Sequence, residues 1–335
     1  MRLHKTPFET PFTRRTLAVV IATSAMLASG LAVAEDGPYP SRPITMIVPT
    51  APGGTTDISA RMLADPLGKA LGQSVIVDNK GGGNGAIAAI AVKRADPSGY
   101  TLLMQYSGYH VITPHVSQQK PQWSAEDFRP VANVLSAPQV IVVREGVPAK
   151  NLAELIAYAK ANPGKLTFAS SGNGTSVHMS GELFKYMTNL HIVHVPYRGS
   201  AGIYPDLLTG KVDTLFDNLP GVVEFVKAGK LRALGVTTAK RNAALPDVPT
   251  VGETVKGYEA SVFYGVAGPK GIPPEVVAIL NKAFNEALAD PKIQKRIADL
   301  GAEPMPMTPE QFGKLTSDET EKWAKVVKAA NLSIE

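Results

Sequence analysis

The stretch Pro49-Thr50-Ala51-Pro52-Gly53-Gly54-Thr55-Thr56-Asp57 is the part of the sequence that decides the fold. An apolar, β-branched run, Ile44–Val48, precedes it and predicts a buried strand. Apolar residues at helical spacing follow it, so a helix should begin near Thr56 or Asp57. Two prolines and two glycines between a strand and a helix predict a tight turn whose backbone can come close to a ligand.

The start of the predicted helix is suited to binding an anion. Its first N–H groups have no partner within the helix and carry a partial positive charge. Asp57 occupies a capping or first-turn position, where its carboxylate would repel a bare anion. A water molecule between Asp57 and the ligand would resolve this conflict, and an ordinary turn with a capping aspartate is the alternative.

The first 34 residues have the features of a secretory signal peptide. Arg14-Arg15 precede an apolar stretch at residues 17–32, and Ala32-Val33-Ala34 has the small-x-small pattern of a cleavage site. We therefore predict an exported protein that is cleaved after Ala34. An uncleaved membrane anchor is the alternative, but the apolar stretch is short and interrupted for a transmembrane helix.

The composition excludes several classes of function. The leader carries four Lys or Arg residues and one Glu, so the rest of the chain has a net charge of +2 instead of +5. No basic run interleaved with aromatic residues remains, which argues against a nucleic-acid partner. The absence of cysteine excludes disulfides and a cysteine nucleophile. His110 and His115 lack partners at metal-ligand spacing, so we expect neither a metal ion nor a cofactor.

After the leader, strand-like and helix-like segments alternate, which predicts an α/β fold. The order strand–helix–strand–helix–strand over residues 44–105 implies parallel strands with helices on both faces. Residues 131–144 predict either two strands or one strand that passes between domains, and a second α/β unit follows. We therefore predict two α/β lobes around a central cleft, with lobe 1 formed by residues 35–136 and 261–335 and lobe 2 by residues 137–260.

A second strand–loop–helix junction resembles the first in character. It reads Ser170-Ser171-Gly172-Asn173-Gly174-Thr175-Ser176-Val177-His178, with small residues that admit a ligand and hydroxyl donors at a helix start. A secreted serine hydrolase that uses Ser170 or Ser171 with His178 as its base is the alternative function. However, no G-x-S-x-G elbow is present, and the spacing fits a capped helix better.

Three other stretches carry weaker signals. Phe216-Asp217-Asn218-Leu219-Pro220 ends a strand where open α/β sheets bind ligands, although Asp217 and Asn218 could simply cap a helix. Tyr106-Ser107-Gly108-Tyr109-His110 could line a pocket wall or form a surface loop. Gly83-Asn84-Gly85-Ala86-Ile87-Ala88 matches a dinucleotide fingerprint, but the acid expected after the next strand is absent.

Several segments together resemble one protein family, and they occur in order along the chain after the leader. They are Tyr39-Pro40-Ser41-Arg42-Pro43-Ile44, the turn that ends at Asp57, Val77-Asp78-Asn79-Lys80-Gly81, the stretch from Ser170 to His178, Val195-Pro196-Tyr197-Arg198-Gly199-Ser200, Val212-Asp213-Thr214-Leu215-Phe216-Asp217-Asn218 and Leu245-Pro246-Asp247-Val248-Pro249-Thr250-Val251. With these segments the sequence resembles the Bug family of extracytoplasmic solute receptors, the tricarboxylate-binding proteins of tripartite tricarboxylate transporters.

The resemblance implies a type II periplasmic-binding-protein fold whose lobes close on a small organic carboxylate without catalysis. It also implies membrane subunits of a tripartite tricarboxylate-type transporter as partners, a monomer, and a carboxylate held by backbone amides and by ordered waters tied to Asp57. The candidate ligand-binding residues are Thr50, Ala51, Gly54, Thr55, Thr56, Asp57, Tyr106, Ser107, Ser170, Ser171, Thr175, His178, Asp217, Asn218 and Phe263.

Some residues near the expected pocket depart from the family pattern. Thr50 stands where Phe is frequent, Tyr106 and Tyr109 where small or hydroxyl residues are usual, and Phe263 where Trp is common. The tyrosines favour an elongated ligand such as a dicarboxylate, or an aromatic carboxylate. Because the three candidate loops contain no Lys or Arg, we expect neutral donors to hold the carboxylate, with Arg198 out of contact with the ligand.

Overall fold

The computed structural model describes Met1 and residues 37–116 and 121–329. The leader and its predicted cleavage site after Ala34 lie outside the described residues. The chain divides into two units, Met1–Ser41 and the much larger Arg42–Glu335, and every element below belongs to the larger one. Within the described ranges, no helix combines the length and the apolar composition that a membrane span needs.

The first elements form the predicted parallel βαβαβ arrangement. They are β1 (Ile44–Val48), α1 (Thr55–Leu71), β2 (Val75–Asn79), α2 (Ala86–Lys93) and β3 (Thr101–Tyr106). β1 pairs in parallel with both β2 and β3, so its apolar side chains are buried at the centre. Helix α1 ends at Gly72, because this glycine adopts the left-handed conformation (φ 68°) that stops a helix.

Helical structure follows β3 directly. From the sequence, this segment could line a pocket wall or form a surface loop. A π-helical turn, Gly108–Ile112, continues into the short helix α3, Thr113–Val116. Val111, Ile112 and Val116 are buried in one apolar cluster with residues of the C-terminal helix. Burial of these three side chains gives the segment a core-facing side, which explains why it is not a surface loop.

β4, Phe128–Val143, is a single strand of 16 residues that belongs to two parts of the sheet. From Phe128 to Pro138 it pairs in antiparallel fashion with β9 (Ser261–Pro269). From Gln139 onward it pairs with two other strands, β7 (Thr214–Asn218) and β8 (Arg232–Val236). The strands β2, β1, β3 and β9 with the first part of β4 are called the first sheet region below. The second part of β4, with β7, β8 and the two strands that extend the sheet beyond β7, forms the second sheet region.

The second sheet region is built from the middle of the chain. Its elements are α4 (Leu152–Ala161), β5 (Thr167–Ser170), α5 (Ser176–Thr188), β6 (Val193–Pro196), α6 (Ile203–Thr209), β7 (Thr214–Asn218), α7 (Leu219–Lys227) and β8 (Arg232–Val236). β5 lies parallel between β6 and β7, and β7 continues the sheet to β4. Apolar clusters cover both faces of this region. The lobe boundaries expected from the sequence stay a prediction.

The C-terminal part returns to the first sheet region. After the short helix α8 (Val251–Thr254) and β9 come α9 (Pro274–Ala289), α10 (Pro291–Asp299), β10 (Glu303–Pro304) and α11 (Pro309–Ala329). Phe312 of α11 is fully buried, with its ring centroid 5.8 Å from that of Phe263. A Cβ atom at Gly265 would overlap the Phe312 ring, so this contact requires glycine in β9.

Candidate functional site

A cavity of about 300 Å³ lies between loops of the two sheet regions, and we call it the ligand cavity. The first sheet region contributes the turn after β1, the glycine-rich loop before α2 and the end of β3. The second sheet region contributes the loops after β5 and β6. The lining residues are Pro49, Thr50, Gly82, Gly83, Asn84, Gly85, Tyr106, Ser171, Gly172, Asn173, Pro196, Tyr197, Arg198 and Gly199.

The turn after β1 is fixed by the carboxylate of Asp57, the third residue of α1. This carboxylate accepts hydrogen bonds from the Gly53 N–H (2.9 Å), from Arg61 Nε (2.9 Å) and from Asn79 Nδ2 (2.9 Å). Asn79 also donates to the carbonyl oxygen of Thr50 (3.0 Å). Asp57 therefore holds the turn in shape from behind, and it does not line the ligand cavity.

Asp57 remains charged although its side chain is only 4% exposed. Burial alone would raise the pKa of its carboxyl group, but the hydrogen bonds from Arg61, Gly53 and Asn79 outweigh burial and lower the pKa below its usual value. Because both oxygens already accept hydrogen bonds from other groups of the protein, little acceptor capacity is left for a bridging water.

The loop before α5 is organised by a helix cap and a buried histidine. Thr175 caps α5 by accepting from the His178 N–H (3.3 Å), and its own hydroxyl donates to the Gly172 carbonyl (2.8 Å). His178 Nδ1 accepts from the Gly174 N–H (3.0 Å). The imidazole stacks on His194, with ring centroids 3.9 Å apart. His178 thus supports the loop from beneath and does not line the ligand cavity.

Neither candidate serine contacts the base that a hydrolase would need. Ser170 Oγ lies 2.6 Å from Nε2 of His194, and Ser171 Oγ donates to the Thr175 hydroxyl (3.2 Å). Burial and the neighbouring His178 lower the pKa of His194 to about 3. The Ser–His pairing that the hydrolase hypothesis required is therefore not formed between these residues.

Asp217 is fully buried at the end of β7, just before α7. Its carboxylate accepts from the Ser200 hydroxyl (2.9 Å), from the Tyr204 hydroxyl (2.9 Å) and from the Asn218 N–H (2.8 Å). Burial raises the pKa of Asp217 to about 6, although these three donors act in the opposite direction. Asn218 in turn accepts from Gln139 Nε2 (3.3 Å), so the predicted pair is occupied by contacts within the protein.

Two buried hydroxyl groups near the ligand cavity have no hydrogen-bond partner among the described residues. They are Thr50 Oγ1 and Ser176 Oγ. Thr50 lines the cavity, and Ser176 is the first residue of α5. Buried polar groups are rarely left unpaired, so these hydroxyls indicate a place where a ligand or water binds.

Hydrogen bonds join the two sheet regions beside the cavity. Asn84 Nδ2 donates to the Asn173 carbonyl (2.6 Å) and to the Thr113 hydroxyl (3.1 Å). Thr113 in turn donates to the Gly174 carbonyl (3.1 Å). Asn84 adopts a left-handed conformation (φ 51°, ψ 46°), which is uncommon for a residue other than glycine. Sequence reasoning missed this contact because its members are far apart in the chain.

Arg198 is the one charged residue among the described residues that line the ligand cavity. Its side chain is exposed and makes no hydrogen bond or ion pair with any residue in the described ranges. We expected it to lie away from the ligand, and the structure places it on the cavity wall. Backbone bonds explain the position, because the Tyr197 N–H donates to the Ser170 carbonyl and the Gly199 N–H to the Ser171 carbonyl.

The structure separates the predicted site residues into two groups. Thr50, Tyr106 and Ser171 line the ligand cavity. Phe263 instead packs in the apolar cluster beneath α11. The remaining predicted residues are outside the lining: Ala51, Gly54, Thr55, Thr56, Asp57, Ser107, Ser170, Thr175, His178, Asp217 and Asn218. In the described part of the chain, no three His, Asp or Glu side chains are grouped so that they could hold a metal ion.

Comparison with known proteins decides the family. The sequence model described as the tripartite tricarboxylate transporter family receptor, TctC, matches residues 59–332. The chain belongs to this receptor family. BugT of Bordetella pertussis is 38% identical to it over 321 residues, which cover 94% of this chain and 97% of BugT. A protein encoded in the tcbD-tcbE intergenic region of Pseudomonas sp. strain P51 is 37% identical over 316 residues, 94% of this chain and 93% of that protein.

Solved structures of the receptor family have the same fold. Rpa4515 of R. palustris, solved with adipate, is 37% identical with a TM-score of 0.86, and the match covers 88% of this chain and 99% of that one. MatC of Rhodopseudomonas palustris, solved with malate, is 31% identical with a TM-score of 0.82, and the match covers 86% of this chain and 100% of MatC. The periplasmic binding protein BugD is 36% identical with a TM-score of 0.85, and the match covers 89% of this chain and 100% of BugD.

These relatives are solute-binding receptors and not enzymes, so this chain is a solute-binding receptor of the Bug type. The predicted α/β fold of a periplasmic binding protein is confirmed by the structural likeness. The hydrolase hypothesis is wrong, in agreement with the separate contacts that Ser170 and His178 make.

Proposed function

We propose that this receptor captures a small organic carboxylate in the ligand cavity and delivers it to membrane subunits of a tripartite tricarboxylate-type transporter. The observation that carries the proposal is the lining itself. The unpaired hydroxyl of Thr50 and small-residue loops line the cavity, and Arg198 is the one charged residue in the described part of its wall. The relatives solved with adipate and malate, both dicarboxylates, support a ligand with two anionic groups.

One carboxylate of the ligand binds at the neutral end of the cavity. The hydroxyl group of Thr50 and the backbone of the glycine-rich loop are the groups available there. The starts of α1 and α5 add the partial positive charge of helix N-termini, roughly half a charge each. Ordered waters complete this recognition, and the unpaired hydroxyls of Thr50 and Ser176 hold them more readily than the occupied carboxylate of Asp57.

Arg198 binds the second carboxylate of the ligand. Its guanidinium group offers a fork of N–H donors that matches a carboxylate in two parallel hydrogen bonds. Tyr106 and Tyr197 supply flat apolar surface along the cavity between the two ends. A dicarboxylate fits this arrangement best, and an aromatic carboxylate would use the tyrosine surfaces.

Capture involves closure of two lobes, formed by residues 35–136 with 261–335 and by residues 137–260. The bonds from Asn84 to Asn173 and from Thr113 to Gly174 are the contacts that would form on closure. We further propose that the receptor acts as a monomer in the periplasm after cleavage behind Ala34. This location agrees with the receptor family to which the chain belongs.

Native mass spectrometry on protein purified without dialysis would identify a ligand that survives isolation. Calorimetry with adipate and with hexanoate, which lacks the second carboxylate, then tests the two-ended site. Arg198→Ala should weaken adipate binding by ~1.5–3 kcal/mol, the usual range for a hydrogen bond to a charged group, and should leave hexanoate binding nearly unchanged. Arg94→Ala, which removes an exposed arginine outside the ligand cavity, is the matched control.

Two results would contradict the proposal. One is a bound natural ligand without any carboxylate group. The other is an Arg198→Ala variant that binds each dicarboxylate recognised by the wild type as tightly as the Arg94→Ala control does.

A further inference from the structure

A second cavity, of about 310 Å³, lies between β3, β9 and the C-terminal helix α11, and we call it the rear cavity. Successive side chains of a strand point to opposite faces of a sheet. Gln105 lines the rear cavity and Tyr106, the next residue of β3, lines the ligand cavity. The two cavities therefore lie on opposite faces of the first sheet region and share no lining residue.

Gln105 is the unusual member of the rear cavity. It is only 1% exposed, and its Oε1 atom has no hydrogen-bond partner among the described residues. A carboxamide can both donate and accept hydrogen bonds, and leaving it unpaired in a buried place costs stability. Oε1 of Gln105 is therefore an acceptor to which a polar group of a bound molecule could donate.

The other walls define what kind of molecule fits. Phe128, Pro130 and Ala267 give apolar surface, and the His110 imidazole is uncharged at neutral pH because burial lowers its pKa to about 4. Among the residues that the structure describes, neither lysine nor arginine is part of the lining, whereas Glu126 and Glu321 are exposed at its edge. These acids repel anions, so the carboxylate that binds in the ligand cavity is unsuited to this one.

We infer that the rear cavity is a second binding site, for an uncharged molecule with an aromatic or alicyclic ring and one carboxamide or lactam group. The ring packs against Phe128 and Pro130, and the amide exchanges hydrogen bonds with the side chain of Gln105. The cavity volume is at the lower end of the range for small-molecule sites, which limits the ligand to a compact molecule. This inference is independent of the proposed function, because it concerns the other face of the sheet.

Benzamide is a suitable probe, with benzoate as its anionic counterpart of equal size. Ligand-observed NMR titration of the whole receptor should show saturable binding of benzamide and at least fivefold weaker binding of benzoate. Thr320→Trp, which places a large ring at the α11 wall, should abolish benzamide binding. Ser171→Trp, which fills the ligand cavity instead, should leave benzamide binding unchanged.

Gln105→Leu tests the pairing itself, because leucine keeps the approximate size and removes both hydrogen-bonding atoms. We expect roughly fivefold to tenfold weaker benzamide binding in this variant, with a thermal unfolding curve that shows a single transition. The inference is overturned if benzamide does not bind to the wild type. It is also overturned if Thr320→Trp binds benzamide normally, or if Ser171→Trp is the variant that loses binding.

Discussion

Replacement of Asn84 by glycine should weaken ligand binding through loss of the contact between the two sheet regions. The Asn84 side chain donates to the Asn173 carbonyl at 2.6 Å and to the Thr113 hydroxyl at 3.1 Å. Glycine is the appropriate replacement because Asn84 has a left-handed backbone (φ 51°), which glycine adopts without strain and alanine does not. The variant thus removes the two hydrogen bonds and leaves the loop conformation accessible.

The expected magnitude follows from these two bonds. An intramolecular hydrogen bond contributes ~0.5–1.5 kcal/mol net, so two bonds made in the closed receptor are worth ~1–3 kcal/mol. This free energy corresponds to about 5- to 150-fold weaker ligand binding. Asn84→Asp should weaken binding at least as strongly, because a carboxylate cannot donate to the Asn173 carbonyl and repels it.

Isothermal titration calorimetry with the ligand recovered from the purified receptor measures the effect. Asn189→Gly is the matched control, because Asn189 has the same left-handed backbone (φ 53°) but is exposed at the end of α5. If Asn84→Gly binds the ligand as tightly as Asn189→Gly and the wild type, the bonds across the cavity do not stabilise the bound state. Our interpretation of Asn84 would then be wrong.

Three other predictions concern stability. Burial raises the pKa of Asp217 from 3.8 to about 6, so the stability that its protonated carboxyl group contributes is fully present below pH 3.8 and is lost as the pH rises through 6. Between pH 5 and pH 7.5, thermal unfolding should show the free energy of unfolding of the wild type falling by ~1–2 kcal/mol relative to Asp217→Asn. A difference between the two proteins that is independent of pH would contradict this. Asp213→Ala removes the carboxylate that accepts from Arg144 (2.7 Å) and from the Thr167 N–H (3.0 Å), so urea unfolding should show the free energy of unfolding lowered by ~2–4 kcal/mol. A decrease under ~0.5 kcal/mol would show that this network does not stabilise the fold. Phe312→Ala should cost ~3–5 kcal/mol in the same assay because the ring is fully buried, and a near-neutral result would mean that α11 does not pack as described.

The parts of the fold that local chemistry determines could be predicted from the sequence. The turn after β1 is marked by prolines and glycines, and α1 ends at Gly72 because glycine takes the left-handed conformation there. The parallel pairing of β1 with β2 and β3 follows from the alternation of strands and helices. These features depend on residues close together in the chain.

The site was less predictable because it depends on contacts between distant residues. Ser170 pairs with His194 and not with His178, since β5 and β6 lie side by side in the sheet. Arg198 reaches the cavity wall through backbone bonds to the loop after β5, which no local pattern reveals.

Phe263 illustrates a different difficulty, which is the alternation of side chains along a strand. Its neighbour Tyr264 lies beside Tyr106 near the ligand cavity, whereas Phe263 packs against Phe312. The resemblance to a family located this segment at the site, but it did not decide which of two adjacent aromatic residues faces the ligand.

The pairing of β3 with β9 has a consequence for the order in which the chain can fold. β3 ends at Tyr106 and its antiparallel partner begins at Ser261, so roughly 150 residues separate them in the sequence. A nascent chain therefore carries β3 with one uncovered edge through roughly half of its synthesis, and such edges pair readily with other chains. Closing so long a loop also makes folding slow. A holding chaperone that shields this edge until the last third of the chain is available should raise the yield of folded receptor.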